Sequence, residues 1–298
     1  MVYGAVACLL VLTGFFLYRF LMPEEPDEQI VVNQLEAKEI RLVSSEKTVL
    51  YEENIDIQID KKGTVTIQSD NNPEKIEEIE IAENTLNTLV VPYGRRSRIE
   101  LPDGTKAWLN SGSILHFPST FSGDKREVVL TGEMYIEVKK QEVPFVVKTT
   151  DFRVEVLGTA FNVSAYEQQQ QSVVLLEGSV EVRSDHVDET CMLSPNEIAL
   201  LDTVSSSFRK EQADALQHIS WVKGYIVLHK TPLINVMNYL ERYYNVAFEY
   251  IETPRIQRMT CDGKLYLSES FDNVMRAIGI LTDTEYSKEN NSIFIYNK

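Results

Sequence analysis

The side chains best suited to chemistry are four histidines, three cysteines and one aspartate in a turn, and none has a spacing that known chemistry uses. His116, His186, His218 and His229 stand singly on unlike segments, so no two share a face as metal ligands would. Cys8 lies inside an apolar run. Cys191 and Cys261 make no CxxC, and to form a disulfide they would have to reach between what read as different modules. The sequence has no GxSxG, P-loop, HExxH or dinucleotide fingerprint. With 45 acidic residues, close pairs of carboxylates arise without any catalytic reason. Asp103 sits in Pro102-Asp103-Gly104, a turn in which an aspartate bonds nearby backbone amides, and that structural role accounts for it. The sequence therefore assigns no catalytic, cofactor-binding or metal-binding residue, and predicts a non-enzyme without cofactor.

Charge narrows the partners. The net charge of −16 argues against a nucleic-acid binder, which needs clustered Lys and Arg for phosphates. The local exception is Arg95-Arg96-Ser97-Arg98, read either as outward-facing charges on a strand or as a contact patch for an acidic partner. Trp108, Trp221 and the tyrosines could line a groove, although aromatics at strand spacing more often fill a core.

The elements that would position these residues begin with a membrane signal. Val2 to Met22 is almost uniformly apolar, and as a helix rising about 1.5 Å per residue it just spans a hydrocarbon core. Arg19 lies about one turn from its end, within reach of headgroups, and Pro23-Glu24-Glu25-Pro26 stops it. A cleaved signal peptide would want a basic start and a shorter apolar core, so residues 1–22 are expected to be an uncleaved transmembrane helix. Residues 23–88 read as a β-rich spacer, with a hairpin of Ile55–Ile59 and Val65–Ile67 about the turn Lys61-Lys62-Gly63. From 89 to 203 short strands separated by turn residues predict an all-β domain, with Val128–Leu130, Phe145–Val147 and Val173–Leu176 as core strands. Residues 204–218 read as a polar, partly helical connector. Residues 219–298 predict a small α/β module of two strand-helix-strand units. In the first helix Thr231 is the N-cap with Pro232 at the first helical position, and Leu233, Val236, Met237, Leu240 and Tyr244 form one face. In the second, Ser270 is the cap, and Phe271, Val274, Met275, Ile278 and Leu281 point inward.

Residues 91 to 183 resemble the FecR domain. The run VPYGRRSRIELPDGTKAWLNSGSILHFPSTF matches its opening pattern, and REVVLTGEMYIEV, PFVV, VEVLGTAFNVSAY and LLEGSVEV follow in order. WVKGYIVLHKTPLINVMNYLERYYNVAF resembles the C-terminal module of FecR proteins from Bacteroidetes-like bacteria, itself similar to the short N-terminal domain of secretins and TonB-dependent transporters. The resemblance implies a mainly β fold, solenoid-like or sandwich-like, in a single-pass protein of the inner membrane with its bulk in the periplasm. It further implies an anti-sigma regulator, relaying occupancy of a TonB-dependent outer-membrane transporter from that transporter's signalling domain to an extracytoplasmic-function sigma factor. In the family the sigma-binding segment precedes the helix, whereas here Met1 opens directly on the apolar run. The other reading of the residues is an envelope carbohydrate-binding or scaffold protein.

Overall fold

The computed structural model describes residues 38–297, apart from 46, 83, 168, 251–254 and 268–269. The expected transmembrane helix at 1–22 lies outside them, and among the described residues no helix is long and apolar enough to cross a membrane.

Alternating apolar residues make the first part of the chain a succession of short strands. They are β1 Ile40–Val43, β2 Thr48–Tyr51, β3 Ile55–Ile59, β4 Thr64–Ser69, β5 Asn72–Glu80, β6 Leu86–Val91, β7 Ser97–Glu100, β8 Lys106–Leu109 and β9 Ser113–Pro118. There follow β10 Arg126–Glu137, β11 Phe145–Lys148, β12 Phe152–Val156, β13 Ala160–Ala165, β14 Ser172–Glu177, β15 Val180–Ser184, β16 Thr190–Leu193, β17 Glu197–Asp202 and β18 Ser207–Gln212. Their pairings trace one continuous, curled sheet with two walls. The first wall runs β2–β1–β6–β9–β10–β11–β12–β15–β16. The second runs β5–β4–β3–β7–β8–β10–β13–β14–β17–β18.

Strand β10 belongs to both walls. Its first half pairs β9 and β11, and its second half, from Gly132, pairs β8 and β13. The strand changes walls at Gly132, whose φ of +100° suits glycine. A Cβ there would lie 2.5 Å from the Ser113 hydroxyl and 2.7 Å from its Cα, so no other residue fits without displacement. Because side chains alternate, each wall turns one set of residues inward, and Leu89, Phe117, Leu130, Phe145, Ile99, Met134, Phe161 and Leu175 meet in one core. Each such side chain contributes roughly 1.5–3 kcal/mol by leaving water.

The hairpin about Lys61-Lys62-Gly63 forms as read, with Ile57 opposite Ile67. Residues 40–80, read as part of a spacer, are built into the sheet. β1 pairs β6 antiparallel and β3 pairs β7 in parallel, while the acidic stretch becomes strand β5 against β4. Within 204–218 lie strand β18 and the short helix α1 (Ala215–His218), the latter capped by the Asp214 side chain on Leu216 N–H.

The last part contains β19 Tyr225–Pro232, helix α2 Leu233–Tyr244, β20 Ala247–Tyr250, β21 Thr260–Tyr266, helix α3 Phe271–Thr282, β22 Thr284–Glu289 and β23 Ser292–Asn297. β19 pairs β21 antiparallel, and β23 pairs β20 in parallel and β22 antiparallel. The strand-helix-strand order matches the expectation, with β22 as an additional strand. Two details correct it. Pro232, not Thr231, stands at the start of α2; Thr231 Oγ1 instead accepts from His229 N–H, and the first helical amide, Leu233 N–H, donates to the Met259 carbonyl. Leu281 faces solvent at 55% exposure, because the buried row of α3 runs Val274, Met275, Ile278 and then Thr282. The Thr282 hydroxyl, buried on that row, bonds the Ile278 carbonyl and Thr284.

Candidate functional site

Alternation that turns Met134 and Ile136 into the core turns Glu133 and Tyr135 to the outside of the second wall. Trp108 on β8 and Asn162 on β13, their neighbours across the ladder, face the same way: Trp108 pairs Tyr135, and Asn162 pairs Tyr135 from the other side. An open strand face of this composition would be wet. Here it is covered, first by α1 and the 3-10 turn Ser220–Lys223, then by α2.

Apolar contact is concentrated on the turn. Tyr135, Ile219 and Trp221 are buried together, with Trp108 and Tyr135 rings 5.2 Å apart. Ala215 packs with Val174 and Ile198, which fixes α1 to the wall.

A polar network runs through the same junction. Glu133 accepts from Asn110 Nδ2 at 2.8 Å and Asn162 Nδ2 at 3.1 Å, and Asn162 Oδ1 accepts from Trp221 Nε1 at 3.4 Å. Enclosure pushes the Glu133 carboxyl above its usual range, opposed by those two amides and by the nearby Arg242 charge. Arg242, on α2, places its guanidinium 4.1 Å from the Tyr166 ring centre and 5.9 Å from that of Tyr239. Tyr166 O–H donates to the Ser111 carbonyl at 2.7 Å, and Gly94 N–H donates to the Arg242 carbonyl at 2.7 Å. The Tyr239 hydroxyl is buried beside Asn110, and Arg242 Nε is buried without a hydrogen-bond partner. A cleft of about 220 Å³ adjoins them, lined by Glu133, Trp221, Tyr239 and Arg242 among others, and through it Glu133 retains some solvent access.

The basic cluster divides its roles. Arg96 donates to the Trp221 carbonyl at 3.2 Å and to Tyr243 Oη at 3.1 Å, and its backbone N–H donates to Asn54. Arg98 pairs with Asp56 at 3.5 Å and lies over Trp108. Arg95 gives its carbonyl to the Ser111 hydroxyl. So Arg96 is not merely an outward-facing solvated charge: it holds the C-terminal part of its own chain. The sequence offered no signal for this, since Trp221 and Tyr243 are more than a hundred residues away.

The remaining singled-out residues do not assemble. His116 Nδ1 meets Thr88 Oγ1 at 2.8 Å, and burial lowers its pKa. His186 lies 3.2 Å from Asp151 and His229 lies 3.6 Å from Asp262, both on the surface, while His218 borders the junction cleft. Among the described residues no cluster of His, Cys, Asp and Glu could hold a metal, and Cys191 and Cys261 are both free thiols. Asp103 bonds Thr105 N–H as its turn implies, and also makes a buried ion pair with Arg126 at 2.7 Å. The sequence reading did not contain that pair.

What the geometry defines is a curled β sheet, a small α/β module, and a polar junction where they meet. The FecR protein family model matches residues 87–181, and the model of the FecR C-terminal region matches 225–295. A solved structure from Parabacteroides distasonis ATCC 8503, described as a candidate anti-sigma factor, is 30% identical with a TM-score of 0.65, covering 71% of this chain and 99% of its own. A second structure with the same description is 31% identical with a TM-score of 0.65, covering 72% and 99%. Comparison with curated proteins gave no match. The chain belongs to the FecR family.

Proposed function

We propose that this chain is an anti-sigma regulator that works by contact, receiving a signal outside the cytoplasm and controlling an extracytoplasmic-function sigma factor. Family membership, together with a 30%-identical structure described as a candidate anti-sigma factor, carries the reading. The transmembrane helix expected at residues 1–22 tethers it to the inner membrane, with the folded part in the periplasm. The signal comes from a TonB-dependent outer-membrane transporter, whose own signalling domain docks on the C-terminal module. Two features of the module suit docking. β20 and β22 each pair only with β23 among the described residues, which leaves edges open to strand addition. Beside them, Phe294 and Tyr296 stand on the outer face of β23, opposite the buried Ile293 and Ile295.

The test is capture of the protein by signalling domains of transporters encoded near its gene, alongside transcription from the sigma-dependent promoter in a deletion strain. Binding to one domain and a changed transcript level are expected. No binding to any of them with unchanged transcription would remove the proposal.

A further inference from the structure

The sheet and the C-terminal module are held together by chemistry unlike the chemistry inside either. The sheet has one apolar core. The module has its own, in which Leu233, Val236, Met237, Leu240, Val274 and Ile278 pack with its strands and with no residue of the sheet. Between the two, the apolar cluster at Trp221 draws from the module past Gly224 a single side chain, Tyr239. Further contacts include the Arg96 bond to Tyr243, the Gly94 bond to the Arg242 carbonyl, Arg242 over Tyr166, and α1 and the 3-10 turn against β19. Interfaces of this polar kind move unless something large and apolar holds them. This one also leaves Arg242 Nε without a hydrogen-bond partner, and a cleft of about 220 Å³ runs along it. Groups buried without partners disfavour the closed arrangement.

A hinge lies in the right place. Gly224, with φ of +75°, ends the 3-10 turn, and a Cβ there would meet nothing within 4 Å. Everything before it is fixed to the sheet through Ala215, Ile219 and Trp221.

We propose that the module from Tyr225 onward undocks from the second wall as a rigid body about Gly224, with Arg96 and Arg242 as its latch. Undocking uncovers Glu133, the Tyr166 ring and the side of Trp221 against Tyr239, an aromatic and acidic face covered in the closed form. The joint is a property of this chain alone and holds whatever its partner.

Both tryptophans of the protein lie at this joint, so its intrinsic fluorescence reports on it. Urea titration of the protein should show tryptophan emission shifting red, and acrylamide quenching rising, before the strand signal in circular dichroism is lost. Arg242→Met should favour the open form by about tenfold, the effect of losing one desolvated cation–π contact, and should leave the later transition in place. A crosslink should act in the opposite sense. A Cβ on Gly94 would lie 3.2 Å from Asn245 Cβ, close to disulfide range, so oxidised Gly94→Cys/Asn245→Cys protein should lose the early transition and regain it on reduction. If emission and dichroism change together in the unaltered protein and in Arg242→Met, the joint does not open and the proposal fails. It fails equally if the crosslink, confirmed by peptide mapping, leaves the early transition unchanged. Should the double variant not fold, Arg242→Met decides alone.

Discussion

Two buried arginines show how differently the sheet and the joint are made. Arg126, 2% exposed on β10, pairs with Asp103, donates to the carbonyls of Val143, Lys139 and Leu157, and lies over Phe145. Arg242 is nearly as buried, yet it rests on tyrosine faces with Nε unbonded and a cleft beside it. The first is the signature of a fixed structure, since a fully bonded charge has no better state to go to. The second is compatible with two states of similar energy. A buried charge thus stiffens or loosens a fold according to how completely its neighbours answer it.

The sharpest way to break that comparison is Asp103→Ala, which strands the Arg126 charge. It should cost about 3–5 kcal/mol of sheet stability in urea denaturation. A cost below about 1 kcal/mol would mean that the carbonyls alone satisfy Arg126. Gly132→Ala comes next, at about 1–3 kcal/mol, from a positive φ and a collision with Ser113. It should lower the sheet transition and leave the module's unchanged.

Smaller effects sharpen the joint. The Glu133 carboxyl titrates above its ordinary range because of burial, so the folded protein holds the proton to higher pH than the unfolded chain does. Its contribution to stability is therefore full below the ordinary carboxylate range and is lost as pH rises through the raised value. The Tm of the unaltered protein relative to Glu133→Gln should accordingly be more favourable at pH 4.5 than at pH 7.5. A difference that does not change with pH would place Glu133 in water. The smallest effect belongs to Leu281→Ser on the exposed side of α3, which should change stability by less than about 0.5 kcal/mol.

What the sequence revealed follows from how local each cause is. Hairpins and core strands were legible because Ile55–Ile59, Phe145–Val147 and Val173–Leu176 carry their pattern within a few residues. The strand β22, TEYSKE, was not, since it has little apolar alternation and is held by its ladder with β23. Leu281 was misplaced because the buried row of α3 ends on Thr282, a polar residue whose hydroxyl is satisfied by the Ile278 carbonyl and which apolar spacing does not mark. At the candidate site Asp103 was legible in its turn, whereas its partner Arg126 lies 23 residues further on. Glu133 reads as an ordinary outward strand residue, and the cover supplied by residues 219–242 encloses it except at the cleft. No local pattern encodes that cover.

Because β10 runs unbroken from one wall to the other, Arg126 near its start and Glu133 past its bend ride on the same segment of backbone. No loop separates the part of β10 beneath the module from the part that carries Arg126 in the other wall.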